Sequence, residues 1–240
     1  MDNKLSEGTK EKNIAIVLAA GRGSRMHSDV QKQYLLIGGK PVIYYSLKQF
    51  EDFAGVDEIV LVTGESEIEY CRDQIVNTYG LKKVKKIIPG GKERYHSVYH
   101  GLCAAGHCDH IFIHDGARPF PDAEMLKRAL EAVRKYRACV VGMPVKDTIK
   151  LADENQFAVQ TPERSKLWMV QTPQVFDYDL IKDAYTRMMV QGISGVTDDA
   201  MVLERMTGKN VKLVQGSYQN IKITTPEDLL VAEAFLKQCK

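Results

Sequence analysis

The chain has 240 residues, of which 44% are hydrophobic and 27% charged, and its formal net charge is +2 at pH 7. This composition is typical of a globular protein and excludes wholesale disorder, while the small net charge argues against a nucleic-acid-binding protein. No apolar run approaches the roughly 18–20 residues of a membrane span, and the N-terminus lacks the apolar stretch of a signal peptide, so we expect no membrane partner. Five cysteines without a CxxC pair indicate free thiols and a cytoplasmic location.

Strand and helix patterns alternate along the chain. Residues 1–12 are polar and charged without periodicity, which predicts a flexible leader. Residues 14–20 form a continuous apolar run, the pattern of a strand buried on both faces of a sheet. Further strands are predicted at 58–63, 84–88, 110–114, 139–145 and 211–214, and helices from residue 41 and at 66–79, 94–105, 122–136, 178–190, 197–207 and 226–238. The alternation predicts right-handed βαβ crossovers, and thus a mainly parallel, twisted sheet flanked by helices in a single α/β domain over residues 13–240.

Residues 146–175 interrupt this alternation. Two β-rich stretches flank a polar turn at 152–155, which predicts an extended β-hairpin that projects from the main sheet as an arm. A lone two-stranded ribbon is only marginally stable, so we expect the arm to pack on another surface. A second copy of the chain is the expected partner, and the arm therefore predicts a homodimer.

A glycine-rich loop follows the first predicted strand. Gly21 and Gly23 allow a close approach of the backbone to a phosphate or a base. A dinucleotide fingerprint would need a third glycine where Met26 stands, and the Lys-Ser/Thr ending of a P-loop is absent. Arg25 and Lys32 would suit a triphosphate whose pyrophosphate departs. From this segment alone, a tight turn with solvated basic side chains is the favoured interpretation.

Two more polar residues follow predicted strands. Asp115 comes directly after the strand at 110–114, where a carboxylate can face a metal, a ribose or a substrate hydroxyl. It can also merely cap the turn, and both interpretations stay open. Thr225 and Pro226 have the pattern of a helix N-cap and a first helical residue. Capping does not explain Lys222 at the preceding strand end, and its position predicts an anionic partner.

Histidines and cysteines crowd into residues 96–110. His96 and His100 are four positions apart on a predicted helix, a spacing that two metal ligands can share. No CxxC or HExxH pattern accompanies them, and Cys103 and His107 fall where the helix should pack and end. We therefore predict no metal ion held by protein ligands.

Eight short motifs occur along the chain in one order. They are Ala19-Ala20-Gly21-x-Gly23-x-Arg25-Met26, Lys32-Gln33, Gly90-Gly91-x-x-Arg94, His114-Asp115-x-x-Arg118-Pro119, Pro144-Val145-x-Asp147-Thr148, Gln171-Thr172-Pro173-Gln174, Thr197-Asp198 and Asn220-Ile221-Lys222-x-Thr224. No single motif is specific, but the combination resembles the 2-C-methyl-D-erythritol 4-phosphate cytidylyltransferase family. The likeness covers residues 13–238, which is nearly the whole chain.

The resemblance implies a Rossmann-like nucleotidyltransferase fold with a projecting β-arm. The implied reaction transfers a cytidylyl group from CTP to 2-C-methyl-D-erythritol 4-phosphate, releasing pyrophosphate, in the non-mevalonate isoprenoid pathway. Mg²⁺ is the implied cofactor, bound mainly through the CTP phosphates. Ribitol-5-phosphate cytidylyltransferases are similar but usually have Ala-Gly-Gly where this chain has Ala19-Ala20-Gly21. A non-catalytic CTP-binding protein is a further alternative, although the cations assigned to catalysis are all present.

The resemblance also assigns the site residues. Arg25 and Lys32 would hold the β- and γ-phosphates, and Lys222 the α-phosphate and the attacking phosphate. The residues assigned to CTP are Ala19, Ala20, Gly21, Gly23, Gly91, Ser97 and Asp115. Those assigned to the acceptor are Thr172 and Thr197, with Asp115 beside them, joined by Arg118, Thr148 and Arg164 from the arm side of a partner subunit.

The chain departs from the family pattern beside the loop lysine. Family members usually have proline at this position, whereas Gln31 precedes Lys32 here. Because proline restricts the backbone, its absence predicts a glycine-rich loop that is more mobile before CTP binds.

Overall fold

The computed structural model describes residues 11–21 and 31–238. Within them the main sheet has seven strands, which are β1 (Asn13–Ala19), β4 (Glu58–Thr63), β5 (Val84–Pro89), β6 (His110–Asp115), β7 (Ala138–Pro144), β10 (Trp168–Asp177) and β11 (Lys212–Gln215). Two short antiparallel ribbons lie outside this sheet. One consists of β2 (Leu36–Ile37) paired with β3 (Lys40–Pro41), and the other of β8 (Leu151–Ala152) paired with β9 (Ala158–Gln160). The order in the main sheet is β11-β7-β10-β6-β1-β4-β5. Strand β10 runs antiparallel to its neighbours β6 and β7. All other neighbouring strands in this sheet are parallel.

Helices cover both faces of this sheet. They are α1 (Val42–Asp52), α2 (Ile68–Tyr70, continued by the π-helical Cys71–Asn77), α3 (Arg94–Ala105), α4 (Ala123–Tyr136), α5 (Tyr178–Gln191), α6 (Asp199–Thr207) and α7 (Pro226–Gln238). The alternating side chains of β1 divide between two cores. Ala15 and Val17 pack with α1 and α4, whereas Ile14 and Ile16 pack with α3 and α5. This confirms the predicted α/β class with a mainly parallel sheet.

Helix α4 shows how local sequence sets one of these elements. Asp122 precedes the helix, and its side chain accepts a hydrogen bond of 2.7 Å from the Met125 N–H, which satisfies a free donor of the first turn. Met125, Ala129 and Val133 are four residues apart and all buried, so one face of the helix packs on the sheet. The helix predicted at 122–136 is therefore confirmed.

The arm is shorter than its predicted bounds of 146–175. Within these bounds, only β8 and β9 form a separate ribbon, and residues 168–177 are strand β10 of the main sheet. Val175 and Phe176 are fully buried on its two faces, because β10 lies between β6 and β7. β-rich composition is common to a ribbon and a sheet strand, so the sequence did not reveal where the arm ends.

The predicted leader lies mostly outside the described residues. Of its last two residues, Glu11 pairs with Arg134 at 2.7 Å and Lys12 pairs with Glu58 at 2.8 Å. These contacts fix residues 11 and 12 on the surface of the sheet domain. Among the described residues, no helix is both long and apolar enough to cross a bilayer.

The topology creates a crevice at one edge of the sheet. The chain passes from β1 to β4 on one side, and later enters β6 on the other side of β1. In open α/β sheets, ligands bind outside the carboxyl ends of strands at such a switch point. The residues after β1 and β6 therefore meet at the expected place for a ligand.

Candidate active site

The larger of two adjoining cavities opens at the carboxyl ends of β1 and β6. Its volume is about 630 Å³. The predicted CTP-binding and catalytic residues in its wall are Ala19, Ala20, Gly21, Lys32, Gly91, Ser97, Asp115 and Lys222. Gly23 and Arg25 lie outside the described residues. The fold thus joins segments from the beginning, middle and end of the chain around one cavity.

A second cavity of about 320 Å³ adjoins the first. Its wall includes Arg118, Gln171, Thr172, Gln174, Thr197 and Asp198. Arg118 thus lines a cavity of its own chain, although the resemblance placed it on the arm side of a partner. Thr148 and Arg164 lie in exposed positions and are in the wall of neither cavity of their own chain.

Three charged residues line both cavities, and they contact one another. Arg94, Asp115 and Lys222 form the common wall. One oxygen of Asp115 accepts a hydrogen bond from Arg94 Nε at 3.1 Å, and the other is 2.7 Å from Lys222 Nζ. The two terminal nitrogens of Arg94 donate to both oxygens of Asp199 at 2.8 and 2.9 Å. A continuous chain of ion pairs therefore lies at the junction of the cavities.

Asp115 is held in its charged form. Burial by itself would raise the pKa of this carboxyl group, because a low-dielectric surrounding disfavours the anion. The positive charges of Arg94, Lys222 and Arg118 outweigh burial and hold the pKa well below its usual range. At neutral pH the carboxylate therefore positions cations and does not take up a proton.

Hydrogen bonds at the edge of the second cavity have a fixed direction. The Asp115 N–H donates to Thr172 Oγ1 at 3.0 Å, and the same hydroxyl lies 3.1 Å from His114 Nδ1. The opposite ring nitrogen of His114 donates to the Arg118 carbonyl at 3.0 Å. Because a carbonyl oxygen can only accept, the proton of a neutral His114 ring is on Nε2, and Nδ1 accepts from the Thr172 hydroxyl. Burial accordingly lowers the pKa of His114 to about 4.

The N-terminal end of α3 supports one wall of the larger cavity. Glu93 and His96 satisfy each other's backbone N–H groups in a capping box. The Gly91 N–H donates to Ser97 Oγ at 3.0 Å, so the predicted ligand Ser97 also holds the turn before the helix. A Cβ at Gly90 would lie 2.4 Å from the Cβ of Ala20. Only glycine allows these two segments to approach so closely.

Gln33 joins the two ends of the glycine-rich loop. Its buried amide donates to the carbonyls of Ala19 and Gly21 and to the side chain of Gln31. The Gln31 amide donates in turn to Glu67 at 2.7 Å. Residues 22–30 lie outside the described residues, so the greater mobility expected for this loop stays a prediction. Gln31 itself is tied to the turn after β4.

The acidic side chains in the cavity walls are already engaged. Asp115 binds two cations, Asp198 caps α6 and accepts a hydrogen bond from Gln174, and Glu93 belongs to the capping box. Elsewhere in the described part of the chain, no group of three histidine, cysteine, aspartate or glutamate residues is placed to hold a metal ion. With these carboxylates engaged, a metal ion at this site would be held mainly by oxygens of a bound ligand and by water.

Comparison with known proteins places this chain in a family. The family model described as 2-C-methyl-D-erythritol 4-phosphate cytidylyltransferase matches residues 13–238. The chain belongs to this family. A member from Lachnospira eligens is 53% identical over 226 residues, covering 94% of this chain and 99% of its own. A member from Caldanaerobacter subterraneus is 48% identical over 225 residues, covering 93% and 98% of the two chains.

Solved structures agree with this assignment. The crystal structure of 4-diphosphocytidyl-2C-methyl-D-erythritol synthase from Anaerococcus prevotii has a TM-score of 0.82 at 32% identity. The match covers 95% of this chain and 99% of that one. This member of the cytidylyltransferase family is therefore a nucleotidyltransferase with the predicted Rossmann-like fold.

Sequence reasoning assigned no role to three residues that organise this cytidylyltransferase site. Arg94 was part of a motif, Gln33 was noted only beside Lys32, and Asp199 was not considered. One available signal was the position of Arg94 in the first turn of α3, because a cation there opposes the helix dipole and needs an anionic partner. The distant partner, Asp199, could be found only from the structure.

The neutral state of His114 predicts a dependence of stability on pH. The ordinary pKa of 6.5 applies in the unfolded chain, whereas the folded value is about 4, so protons bind preferentially to the unfolded state as the pH falls. The free energy of unfolding should therefore decrease by about 2 kcal/mol between about pH 7 and pH 5 through this residue. Urea unfolding of the wild type and His114→Gln at both pH values tests this. Equal losses in the two proteins would contradict the prediction, since His110 and the exposed histidines are common to both.

Proposed function

We propose that the larger cavity binds CTP, that the smaller cavity binds 2-C-methyl-D-erythritol 4-phosphate, and that the cytidylyl group is transferred where they join. The observation that carries this proposal is the shared wall, in which the Asp115–Lys222 pair faces both cavities. An acceptor phosphate in the smaller cavity would thereby lie next to the α-phosphate of CTP. The family assignment supplies the identity of the two substrates and the reaction.

The nucleotide side has the donors and space that a cytidine triphosphate needs. The backbone at Ala19, Gly21 and Gly91 lines the cavity without large side chains. Lys32 is on the same wall and supplies a positive charge for the β- and γ-phosphates. Arg25 is proposed for the same task by its place in the family motif.

The acceptor side combines cations with hydroxyl groups. Arg118 donates to the Asn220 carbonyl through one terminal nitrogen, and its buried Nε has no partner among the described residues. This guanidinium is available to bind an acceptor phosphate. Thr172 and Thr197 supply hydroxyl groups for a polyol.

The reaction requires positioning and charge stabilisation more than acid–base chemistry. An oxygen of the acceptor phosphate attacks the α-phosphorus, and the bond from that phosphorus to the oxygen bridging it to the β-phosphate breaks as pyrophosphate leaves. A phosphate is ionised at neutral pH, so no general base is needed, in agreement with the low pKa of Asp115. Lys222 stabilises charge on the α-phosphate, and Lys32 stabilises charge on the leaving pyrophosphate. Bound Mg²⁺ would neutralise further phosphate charge.

Pyrophosphate release tests this function directly. We expect release that requires CTP, Mg²⁺ and 2-C-methyl-D-erythritol 4-phosphate, and that stops with a chelator and resumes with added Mg²⁺. Ribitol 5-phosphate in a parallel assay tests the alternative acceptor, which the family match does not favour. Release with ribitol 5-phosphate alone would overturn the proposed acceptor, and CTP binding without release in either assay would overturn the catalytic role.

A homodimer formed through the arm is part of this proposal. The arm exposes 72% of Phe157, in the connection between β8 and β9, and 64% of Val159 on β9, although side chains of this type are usually buried. An apolar ribbon of this kind is typical of a protein interface. In a dimer, the exposed Thr148 and Arg164 would reach the acceptor cavity of the partner.

The free thiols of Cys71, Cys103, Cys108 and Cys139 support the cytoplasmic location that we also propose.

Charged substitutions on the arm should separate the subunits. We expect Phe157→Asp combined with Val159→Asp to give a monomer in sedimentation velocity, because the pair would bury two carboxylates in the interface. The KM for the acceptor should increase if arm residues complete the partner's cavity. Leu230→Asp is a matched control, since Leu230 on α7 is 73% exposed and distant in sequence from the arm. A doubly substituted protein that remains dimeric would contradict the proposed interface.

A further inference from the structure

Two buried side chains outside both cavity walls hold one end of the charged network. Asp199, at the start of α6, is fully buried, and its two oxygens receive the terminal nitrogens of Arg94. Tyr185 on α5 is also fully buried, and its hydroxyl donates to Asp199 Oδ1 at 2.5 Å. The Asp199 N–H donates to Gln174 Oε1 at 3.0 Å. Asp199 is therefore held by Tyr185 at its carboxylate and by Gln174 at its backbone N–H while it binds Arg94.

Stability alone does not account for this buried charge. Removing carboxylate and guanidinium groups from water is costly, and replacing a buried ion pair by apolar residues is often neutral or stabilising. An apolar contact could join α6 to α3 equally well. The charges therefore point to a role in the neighbouring cavities, and Arg94 is the residue that connects Asp199 with them.

Arg94 contacts the carboxylates of Asp115 and Asp199, but the fork formed by its two terminal nitrogens binds only Asp199. Both terminal nitrogens of Arg94 donate hydrogen bonds to Asp199. Only Nε of Arg94 is therefore left to donate to Asp115, and it does so to one carboxylate oxygen. The second oxygen of Asp115 is thereby left for Lys222 at 2.7 Å. A guanidinium favours two parallel hydrogen bonds to one carboxylate. Without the charge of Asp199, the fork would therefore turn to both oxygens of Asp115 and displace Lys222.

We propose that Asp199, oriented by Tyr185, is a positioning residue that keeps the guanidinium fork of Arg94 away from Asp115 and so keeps Lys222 in place between the two cavities. This rests on the proposed function in one respect, which is the task of Lys222 at the α-phosphate. Asp199 and Tyr185 act through Arg94 and do not touch substrate. The effect of losing them should fall on turnover more than on CTP binding.

Tyrosine hydroxyls on one helix provide a matched comparison. Tyr185→Phe removes the hydroxyl that orients Asp199, whereas Tyr178→Phe removes a buried hydroxyl that donates to the Leu102 carbonyl at 3.0 Å. Both tyrosines lie on α5 and in the same apolar core. We expect similar decreases in Tm, with kcat reduced several-fold by Tyr185→Phe alone. Asp199→Asn should reduce kcat by about tenfold or more, with the KM for CTP changed by less than about threefold.

A second readout reports on Lys222 without any substrate. Reductive ¹³C-dimethylation keeps the charge of lysine and gives an NMR signal for each amine, and the Lys222 signal is assigned by its loss in Lys222→Arg. We expect Asp199→Asn to move this signal toward the position of an unpaired lysine, as Asp115→Asn should. Tyr178→Phe should leave the signal unchanged.

The two readouts separate failure of the inference from failure of the proposed function. Equal loss of kcat in Tyr185→Phe and Tyr178→Phe, or an unchanged Lys222 signal in Asp199→Asn, would overturn the positioning role. A wild-type protein that releases no pyrophosphate would overturn the proposed function, while the NMR signal would still decide whether Asp199 positions Lys222. If Asp199→Asn does not fold, the tyrosine comparison of kcat and of the Lys222 signal decides in its place.

Discussion

Replacing Lys222 with methionine is expected to lower kcat by about a hundredfold or more. A cation directed at developing phosphate charge in a site shielded from water contributes on the order of 3–4 kcal/mol to the transition state, and methionine removes it while keeping an unbranched side chain. The KM for CTP should change much less, because the glycine backbone and Lys32 also line the larger cavity, where we propose that CTP binds. Steady-state pyrophosphate release at varied CTP and acceptor concentrations measures both constants.

Lys48→Met is the control for this substitution. Lys48 lies on α1 and forms an exposed ion pair with Asp52, so its loss should leave kcat unchanged within error. Lys222→Arg should recover part of the activity, since it restores the charge but with a planar, larger head group. A Lys222→Met enzyme with kcat within about threefold of wild type would contradict the catalytic role.

Replacing Asp115 with asparagine is expected to lower the free energy of unfolding by about 3 kcal/mol and to abolish most activity. The substitution keeps the shape of the side chain but leaves Arg94, Arg118 and Lys222 without the carboxylate that they share. Breaking a buried ion pair by removing one partner typically costs about 3–5 kcal/mol, because the remaining charge is uncompensated. Urea unfolding at neutral pH measures this loss.

The pH dependence gives a second measure of the Asp115 contribution. Its pKa is lower in the folded than in the unfolded chain, so its stabilisation is fully present above the unfolded value of 3.8 and is lost as the pH falls toward the folded value. The difference in unfolding free energy between wild type and Asp115→Asn should therefore decrease progressively below about pH 4.

Asp177→Asn is the matched control for the change from carboxylate to amide. Asp177 caps α5 and pairs with the exposed Arg137 at 3.0 Å, and asparagine also caps helices well. This surface pair should contribute at most about 1 kcal/mol. Equal destabilisation by Asp115→Asn and Asp177→Asn would contradict the prediction that the buried ion pairs of Asp115 stabilise the fold more than a surface pair does.

Much of the fold follows from local patterns in the sequence. The apolar run at 14–20 predicted a strand buried on both faces, and β1 is that strand. The helix predicted at 122–136 is α4, because its cap and its buried face are encoded within one short segment. Hydrophobic periodicity and caps are local properties, so they can be read without knowing which elements pack together.

The position of β10 in the sheet could not be read in this way. Its residues were assigned in part to the arm, and its antiparallel place between β6 and β7 appears only in the structure. The choice of neighbours depends on contacts between segments far apart in the chain. A β-rich stretch has the same local preferences in a ribbon as in a sheet.

The sequence by itself determined which chemical groups this cytidylyltransferase brings to its site, since glycines, cations and Asp115 occur in recognisable motifs after predicted strands. Only the tertiary structure decided how those groups are paired. Arg94 and Asp199 are 105 residues apart, and Lys222 reaches Asp115 from the segment before the last helix. A charge finds its partner through distance in the folded molecule, and distance along the chain does not report it.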